Sequence, residues 1–267
     1  MPRLLKQVAY GIVFAALIGL VLWPVYRLFV PSPSCTDGIQ NQEEEGVDCG
    51  VICGVTCPPA LVPLTVEPVR IILNDNGSWD VIVQLENENA VYGAPEVPYV
   101  LTVSDGDGAT LVTRRGDAYV NPLQTTYLVF PLIKIEGAPV SATFAVDPAE
   151  VQWLAGTATD TTFAVRSDAL TPSDERTRYE AIVINRTRFD FDLVDIVVLL
   201  EDSAGSVIGA GSTSVRTLRA GEERGFVVDW PFAVPGAARA RAYVTTNLFS
   251  NDNYLREYGT QGRVPGF

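Results

Sequence analysis

The fold class of this chain is decided by residues 193–208, which read LVDIVVLLEDSAGSVI. Apolar and β-branched side chains dominate residues 195–200, the turn-forming run Asp202-Ser203-Ala204-Gly205 follows, and a second apolar run begins at Val207. Similar runs, broken by turn residues about every 8–12 positions, recur from residue 69 to residue 245 and predict β-sandwiches. The predicted strands are 69–73, 80–85, 99–103, 110–113, 126–130, 143–146, 162–165, 179–184, 195–200, 207–210, 225–228 and 240–245.

The sequence contains an internal repeat. Three landmarks of the first half recur in the second half at offsets of 98, 97 and 100 residues. They are Asn87 and Asn185, Asp105 and Asp202, and Pro131 and Pro231. A unit of about 95 residues has the size of an immunoglobulin-like sandwich and can bury its own core. The sequence therefore predicts two tandem immunoglobulin/fibronectin-like β-sandwiches, at residues 61–156 and 157–249.

The second repeat resembles the FxLYD class of bacterial domains, which is related to the late-embryogenesis and water-stress sandwiches. The similarity lies in residues 193–208 and in Leu218-Arg219-Ala220-Gly221-Glu222, and the F-x-L-Y-D core stands here as Val198-Leu199-Leu200-Glu201-Asp202. The similarity covers about residues 179–230, and the first repeat resembles the same family more weakly. The resemblance implies a sandwich fold and an extracytoplasmic location. It implies no functional residues.

Residues 7–26 form an uncharged apolar run between Lys6 and Arg27. A helix of this length spans roughly 30 Å, the thickness of the hydrocarbon core. A signal peptide has a shorter apolar core, of about 7–15 residues, and ends in a small-residue cleavage site, whereas this run ends in Trp23-Pro24-Val25-Tyr26. We therefore expect a single-pass transmembrane anchor within residues 1–30. Arg3 and Lys6 outnumber Arg27 across the run, which predicts a cytoplasmic N-terminus and an extracytoplasmic C-terminal bulk.

Four cysteines follow the predicted anchor within residues 31–60, a segment that we call the collar. These are Cys35, Cys49, Cys53 and Cys57, and they suit an oxidising compartment. The segment is too short to form a hydrophobic core of its own. Residues 35–50 resemble a module of predicted bacterial surface proteins with the pattern C-x-D-G-I-Q-N-x-x-E-x-G-V-D-C-G-G-x-C-x-x-C. Val51 replaces the second glycine of that pattern, and the last two cysteines are more widely spaced.

Three structures are open for the collar. Two disulfides are the first, and four cysteines allow three pairings that the sequence does not distinguish. The second is a calcium loop, because oxygen-rich side chains surround the flexible Gly38. The third is a zinc site of four thiolates. The calcium ligands would be Asp37, Asn41, Glu44 and Asp48.

The composition restricts the function. Without Arg3, Lys6 and Arg27, 16 basic residues remain against 32 acidic ones, and such a surface is expected to repel nucleic acid. The chain has no histidine, which excludes Ser-His-Asp and Cys-His catalysis. We therefore expect a protein that is not an enzyme. Calcium is the cofactor that the sequence favours, ahead of zinc.

One inter-strand segment, residues 185–192, is a candidate binding loop, since loops at the end of a sandwich often carry recognition residues. Its candidates are Arg186, Arg188, Phe189 and Phe191, although the two phenylalanines would equally suit a role as core plugs. Residues 250–267 lack strand periodicity and are expected to form a loosely packed tail.

These features lead to three functional hypotheses. The first is a membrane-anchored structural or interaction protein of the cell envelope, held in the lipid bilayer by its helix and contacting an envelope protein partner. The second is a ligand-binding or sensory ectodomain that acts through a membrane partner. The third, an enzyme, is disfavoured.

Overall fold

The computed structural model describes residues 3–29, 35–41, 43–57, 60–156, 163–258 and 263–264. The chain separates into two compact units, Met1–Ala60 and Leu61–Phe267. Residues 31–34, at the start of the collar segment, lie outside the described residues. The first unit contains the apolar helix and the collar, and the second contains the β-structure.

Helix α1 spans Arg3–Phe29 and contains Pro24. Its segment Lys6–Pro24 is long and apolar enough to cross a membrane, and none of that segment is buried against the rest of the protein. A core helix of a soluble protein would be covered by other elements. Among the described residues it is the one helix that meets these length and composition criteria.

The collar is closed by two disulfides, Cys35–Cys53 and Cys49–Cys57, with Cα–Cα distances of 5.6 Å and 4.9 Å. The prediction of disulfides is therefore confirmed. The zinc alternative is wrong, because all four sulfurs are bonded to one another and none remains as a thiolate ligand. A short 3₁₀ helix, Val51–Cys53, follows Cys49 and ends at Cys53.

The second unit is built from antiparallel strands, as the periodicity predicts. Each predicted strand overlaps an observed one, and three strands of only two or three residues each are additional. The first repeat contains β1 (Thr65–Val66), β2 (Arg70–Leu73), β3 (Trp79–Asn87), β4 (Tyr92–Ser104), β5 (Thr110–Val120), β6 (Gln124–Ile133), β7 (Ser141–Val146) and β8 (Trp153–Ala155). The second contains β9 (Phe163–Pro172), β10 (Thr177–Asn185), β11 (Phe191–Glu201), β12 (Val207–Leu218), β13 (Glu223–Trp230) and β14 (Arg239–Thr245).

The two repeats share one topology. In the first, β3 pairs with β2 and β6, and β4 pairs with β5 and β7. In the second, β10 pairs with β9 and β13, and β11 pairs with β12 and β14. Each of these strands thus has a counterpart with the same partners, and each repeat is a two-layered sandwich. The short strands β1 and β8 extend the two layers of the first repeat and have no counterpart among the described strands of the second. The structure agrees with the internal repeat that the sequence offsets indicate.

The landmark asparagines make equivalent hydrogen bonds in both sandwiches. Asn87 ends β3, is 3% exposed, and donates from Nδ2 to the carbonyls of Tyr92 and Asn121 at 2.8 Å each. Asn185 ends β10, is fully buried, and donates to the carbonyls of Phe189 and Leu218 at 2.7 and 3.2 Å. In each case one buried amide ties together two loops at the same end of the sandwich.

The landmark aspartates also match. Asp105 Oδ1 accepts hydrogen bonds from the backbone N–H groups two and four residues later, at 3.0 and 2.8 Å. Asp202 Oδ1 does the same at 2.8 Å each. Gly108 and Gly205 have φ values of 83° and 86°, which L side chains rarely adopt. The tight turns between β4 and β5 and between β11 and β12 are therefore equivalent.

The sandwiches pack face to face. Along β3, Val81 and Val83 enter the first core, while Ile82 points the other way into a cluster shared by both repeats. Along β11, residues of the second core likewise alternate with Val197 and Leu199, which join that shared cluster. The layer that contains β3 therefore lies against the layer that contains β11. We call this contact the inter-sandwich interface.

Polar side chains reinforce the interface. The Tyr119 hydroxyl donates to Asp195 Oδ2 at 2.8 Å, and Asn121 Nδ2 donates to the Thr246 carbonyl at 2.9 Å. Asp80 is fully buried and accepts from Asn74 Nδ2 at 2.9 Å. Its other oxygen accepts from the Ala210 N–H of the second sandwich at 3.4 Å.

The C-terminal segment differs from the expected loose tail. Helix α2 spans Asp252–Tyr258, and Tyr254 is fully buried in the second core. Strand β15, Arg263–Val264, pairs with β8 of the first sandwich. The buried aromatic ring explains the difference, since strand periodicity does not report a short docked helix.

Candidate functional site

A polar cleft opens at one edge of the inter-sandwich interface. Its volume is about 470 Å³, which suits a small molecule. Strands from both sandwiches contribute to its walls. The polar and charged lining residues are Glu67, Arg70, Gln84, Tyr127, Glu201, Arg241 and Tyr243.

Two tyrosines, one from each sandwich, meet in this cleft. The ring centroids of Tyr127 on β6 and Tyr243 on β14 are 4.3 Å apart and the rings are tilted by 44°. Burial, followed by hydrogen bonding to Tyr243, raises the pKa of Tyr127 to about 12, although the positive charges of Arg70 and Arg241 oppose the shift. The Tyr127 phenol therefore stays protonated at neutral pH.

The guanidinium groups of the cleft differ in their partners. Arg241 Nε lies 3.4 Å from Glu201 Oε1, and the Glu201 side chain is only 10% exposed. Hydrogen bonding to Tyr243 raises the pKa of Arg241, with a smaller contribution from Glu201. Arg70 has no ion-pair partner within 4.0 Å among the described residues. It is therefore the guanidinium group of the cleft that is better placed to contact a ligand.

This arrangement suits the binding of a polar ligand. Guanidinium, carboxylate, amide and phenol groups line the cleft and supply donors and acceptors for a polar ligand. The described lining residues include no serine, threonine, cysteine or lysine, so the side chains there that can act as nucleophiles are Glu67, Glu201 and the two tyrosines. The sequence-based reasoning did not identify this site.

A signal for the cleft was nevertheless present in the sequence. Residues 196–200 are continuously apolar, although a strand with one solvent-facing side should alternate. All five are less than 9% exposed, because β11 is covered on both faces. The continuous apolar run therefore indicates that the outer face of this sandwich is covered by another sheet layer. The cleft lies at the edge of that contact.

The predicted calcium ligands lie close together in the collar, but they are occupied by one another and by the backbone. Asp48 accepts from the N–H groups of Asp37 and Gly38 at 3.0 and 2.9 Å. Asp37 Oδ2 accepts from Asn41 Nδ2 at 3.0 Å, and Glu44 Oε2 accepts from the Asn41 N–H at 3.2 Å.

These carboxylates do not form one ligand set in this structure. Among the described residues, the collar group whose potential ligand atoms lie within 4.8 Å of one another is Cys35, Glu44 and Cys53, and both sulfurs belong to a disulfide. Asn41 Oδ1 is buried and has no hydrogen-bond partner among the described residues. Calcium binding by Asp37, Asn41, Glu44 and Asp48 stays a prediction, and it would require the carboxylates to move closer together.

The candidate binding loop is largely closed by the C-terminal helix. Phe189 and Phe191 are 8% and 2% exposed and belong to the second core. The Phe189 ring packs edge-on against Tyr254 and Tyr258 of α2, with centroids 6.1 and 6.0 Å apart. The structure thus favours the role of these phenylalanines as core plugs.

The two arginines of the same loop are exposed. Arg188 forms an ion pair with Glu257 and donates to the Tyr258 hydroxyl at 2.6 Å, so it is already engaged by α2. Its hydrogen bond to Tyr258 raises the pKa of Arg188. A shallow depression lined by Arg188, Asp190 and Arg256 remains beside it.

Comparisons with known proteins leave the family open. No protein-family model matches the chain, and no curated protein matches it. Among solved structures, the exo-β-D-glucosaminidase CsxA is 18% identical over 75% of this chain and 26% of its own, with a TM-score of 0.25. Red sea bream transglutaminase is 10% identical over 73% of this chain and 30% of its own, with a TM-score of 0.22.

A third structure is the tandem domain CBM22-1–CBM22-2 from Paenibacillus barcinonensis Xyn10C. It is 12% identical over 68% of this chain and 85% of its own, with a TM-score of 0.17. The chain spans less than a third of the length of the first two structures. At these TM-scores the similarities carry no argument about function.

Proposed function

We propose that this chain is a single-pass membrane protein whose extracytoplasmic part is a non-catalytic structural or interaction module of the cell envelope. The observation that carries the proposal is the order of two features. An uncovered apolar helix, Arg3–Phe29, is followed within six residues by the first cysteine of a disulfide-closed collar. Apolar helices of this length suit a bilayer, and disulfides persist in oxidising compartments.

The proposed orientation places the N-terminus in the cytoplasm. Arg3 and Lys6 precede the membrane segment and Arg27 alone lies at its other end, which agrees with the positive-inside rule. The disulfides support the same orientation independently, because they would then form on the oxidising side. We further propose that the collar and the sandwiches belong to the two bacterial families that they resemble.

The interaction role is supported by the way the sandwiches are joined. The shared cluster of Ile82, Val197, Leu199 and Ala210 is at most 7% exposed, and polar contacts surround it. Two sandwiches joined in this way present their remaining faces in a constant relation to each other. Such a body is suited to contact a protein partner over a preorganised surface.

Carbonate extraction of intact membranes, with protease digestion of the exposed side, tests the anchor and its orientation. We expect the protein to stay in the membrane, its N-terminal peptide to be retained in the mature chain, and residues 61–267 to be digested from outside. A mature protein that lacks Lys6–Pro24 would show that the helix is a cleaved signal and would refute the proposal.

A ligand-binding ectodomain is the second candidate, and the inter-sandwich cleft is the observation that favours it. Mass spectrometry of small molecules that co-purify with the full chain tests this function. Loss of a co-purifying molecule on Arg70→Ala, with retention on Arg166→Ala, would support ligand binding in the cleft. Arg166 is a suitable control because it is an exposed arginine on β9 that pairs with Glu223.

A further inference from the structure

We propose that the tip of the collar, formed by Val51, Ile52 and Val55, inserts into the outer interface of the bilayer that α1 crosses. This inference rests on the proposed membrane anchoring. It adds a second contact with the lipid, made by the extracytoplasmic part of the protein.

The tip presents aliphatic side chains to the surroundings. Val51 is 87% exposed, and Ile52 and Val55 are each 56% exposed. Single exposed apolar residues are ordinary, but three such residues within five positions form a patch that suits an apolar partner.

The backbone holds the tip in one conformation. Gly50 N–H donates to the Val55 carbonyl at 2.6 Å, and Gly54 N–H donates to the Val51 carbonyl at 3.2 Å. Cys53 lies within this turn and is bonded to Cys35. Because the turn is closed by hydrogen bonds and a disulfide, its aliphatic side chains are preorganised for contact.

The disulfide pairing brings the tip back toward the membrane. Cys35 is the first collar cysteine after the anchor and lies six positions after Phe29, a reach of at most about 22 Å. The Cys53 Cα lies 5.6 Å from the Cys35 Cα, so the tip is held at the end of the collar that leaves the bilayer first.

The charges of the collar indicate which interaction would hold the tip at the lipid surface. Residues 35–57 contain no lysine or arginine and carry the acidic residues Asp37, Glu43, Glu44, Glu45 and Asp48. Electrostatic attraction to anionic lipid is therefore excluded, and the contact must come from burial of the aliphatic side chains in the apolar part of the interface. Uncharged or zwitterionic lipid is the expected surface.

Photocrosslinking from the tip tests the proposal. The full chain, with Val51→p-benzoylphenylalanine, is reconstituted in phosphatidylcholine vesicles and irradiated. Val140, a 68% exposed valine outside the collar, provides the matched control with the same replacement. We expect about tenfold more lipid adduct from position 51 than from position 140.

A second variant ties the result to the aliphatic patch. Ile52→Ser and Val55→Ser, introduced together beside the photoreactive residue, should lower the lipid adduct several-fold. Adding anionic phosphatidylglycerol to the vesicles should lower it as well, because the collar is acidic. Mass spectrometry without reductant confirms that both disulfides are intact in each variant.

The alternative outcomes are distinct. Adducts to water only, to a second copy of the chain or to another protein, in samples that resist carbonate extraction, would overturn tip insertion and leave the anchor intact. Release of the protein by carbonate would refute the proposed anchoring itself, and with it the inference drawn here.

Discussion

Leu199→Ala probes the inter-sandwich interface directly. Leu199 is 4% exposed and belongs to the cluster shared by both sandwiches. Truncation of a buried leucine costs about 2–5 kcal/mol. We expect the lower end, about 2 kcal/mol, because Leu199 also borders the cleft and water can fill part of the space.

The same variant tests whether the sandwiches unfold together. Burial of Ile82, Val197 and Leu199 contributes about 1.5–3 kcal/mol each, so the cluster supplies an appreciable part of the stability of one domain. We therefore expect a single unfolding transition for the wild-type second unit. With a urea m-value of about 2.5 kcal/mol per molar, Leu199→Ala should lower its midpoint by about 0.8 M.

Fluorine NMR of fluorotryptophan-labelled full chain in detergent follows each sandwich separately. Trp79 and Trp153 report the first sandwich and Trp230 reports the second, while Trp23 in α1 serves as an internal reference. The three reporter signals should disappear at the same urea concentration in the wild type.

The control is Leu193→Ala, on the same strand but 44% exposed, which should change the stability by less than about 0.5 kcal/mol. The reasoning is refuted if the Trp230 signal persists in wild-type protein after the Trp79 and Trp153 signals have gone. It is refuted equally if Leu199→Ala matches Leu193→Ala.

Three further predictions concern the buried polar groups and the disulfides. Asn185→Ala should cost about 3 kcal/mol in urea unfolding, because it leaves buried carbonyls without donors, and Asn87→Ala should cost a comparable amount. Burial raises the pKa of Asp195 in the folded protein above its value of about 3.9 in the unfolded chain. The protonated carboxyl group therefore contributes stability below the pKa of the unfolded chain, and this contribution is lost as the pH rises through the higher pKa of the folded protein. The stability of Asp195→Asn relative to wild type should therefore increase from acidic to neutral pH, and a pH-independent difference would contradict this. Reduction of the disulfides should make the collar sensitive to proteases and leave the urea midpoint of residues 61–267 unchanged, since all four cysteines lie in the collar.

Local patterns in the sequence were sufficient for the strands. Alternating apolar residues and turn signals predicted the long strands, because these features act over a few residues. Strands β1, β8 and β15 are only two or three residues long, so they carry too little periodicity to be recognised. The repeated turns at Asp105 and Asp202 were recognisable because each depends on its own side chain and one glycine.

Long-range contacts were not predictable in the same way. The pairing of Cys35 with Cys53 depends on how the collar folds, and the spacing of the cysteines is compatible with each of the three pairings. Tyr254 is isolated in the sequence, yet it fills the end of the second core beside Phe189. The cleft combines Tyr127 and Tyr243, which lie 116 residues apart and meet only after both sandwiches have formed.

The face-to-face packing changes which version of the structural hypothesis the molecule favours. Sandwiches joined end to end would lengthen the protein and would suit a spacer. Here the layer containing β3 is instead covered by the layer containing β11. This arrangement makes the pair of sandwiches shorter than an end-to-end arrangement would. It covers two sheet faces and leaves a cleft along one edge of the interface. A body of this kind is better suited to present a binding surface than to hold two partners apart. This packing therefore gives more support to the proposed interaction role than to a role as a spacer.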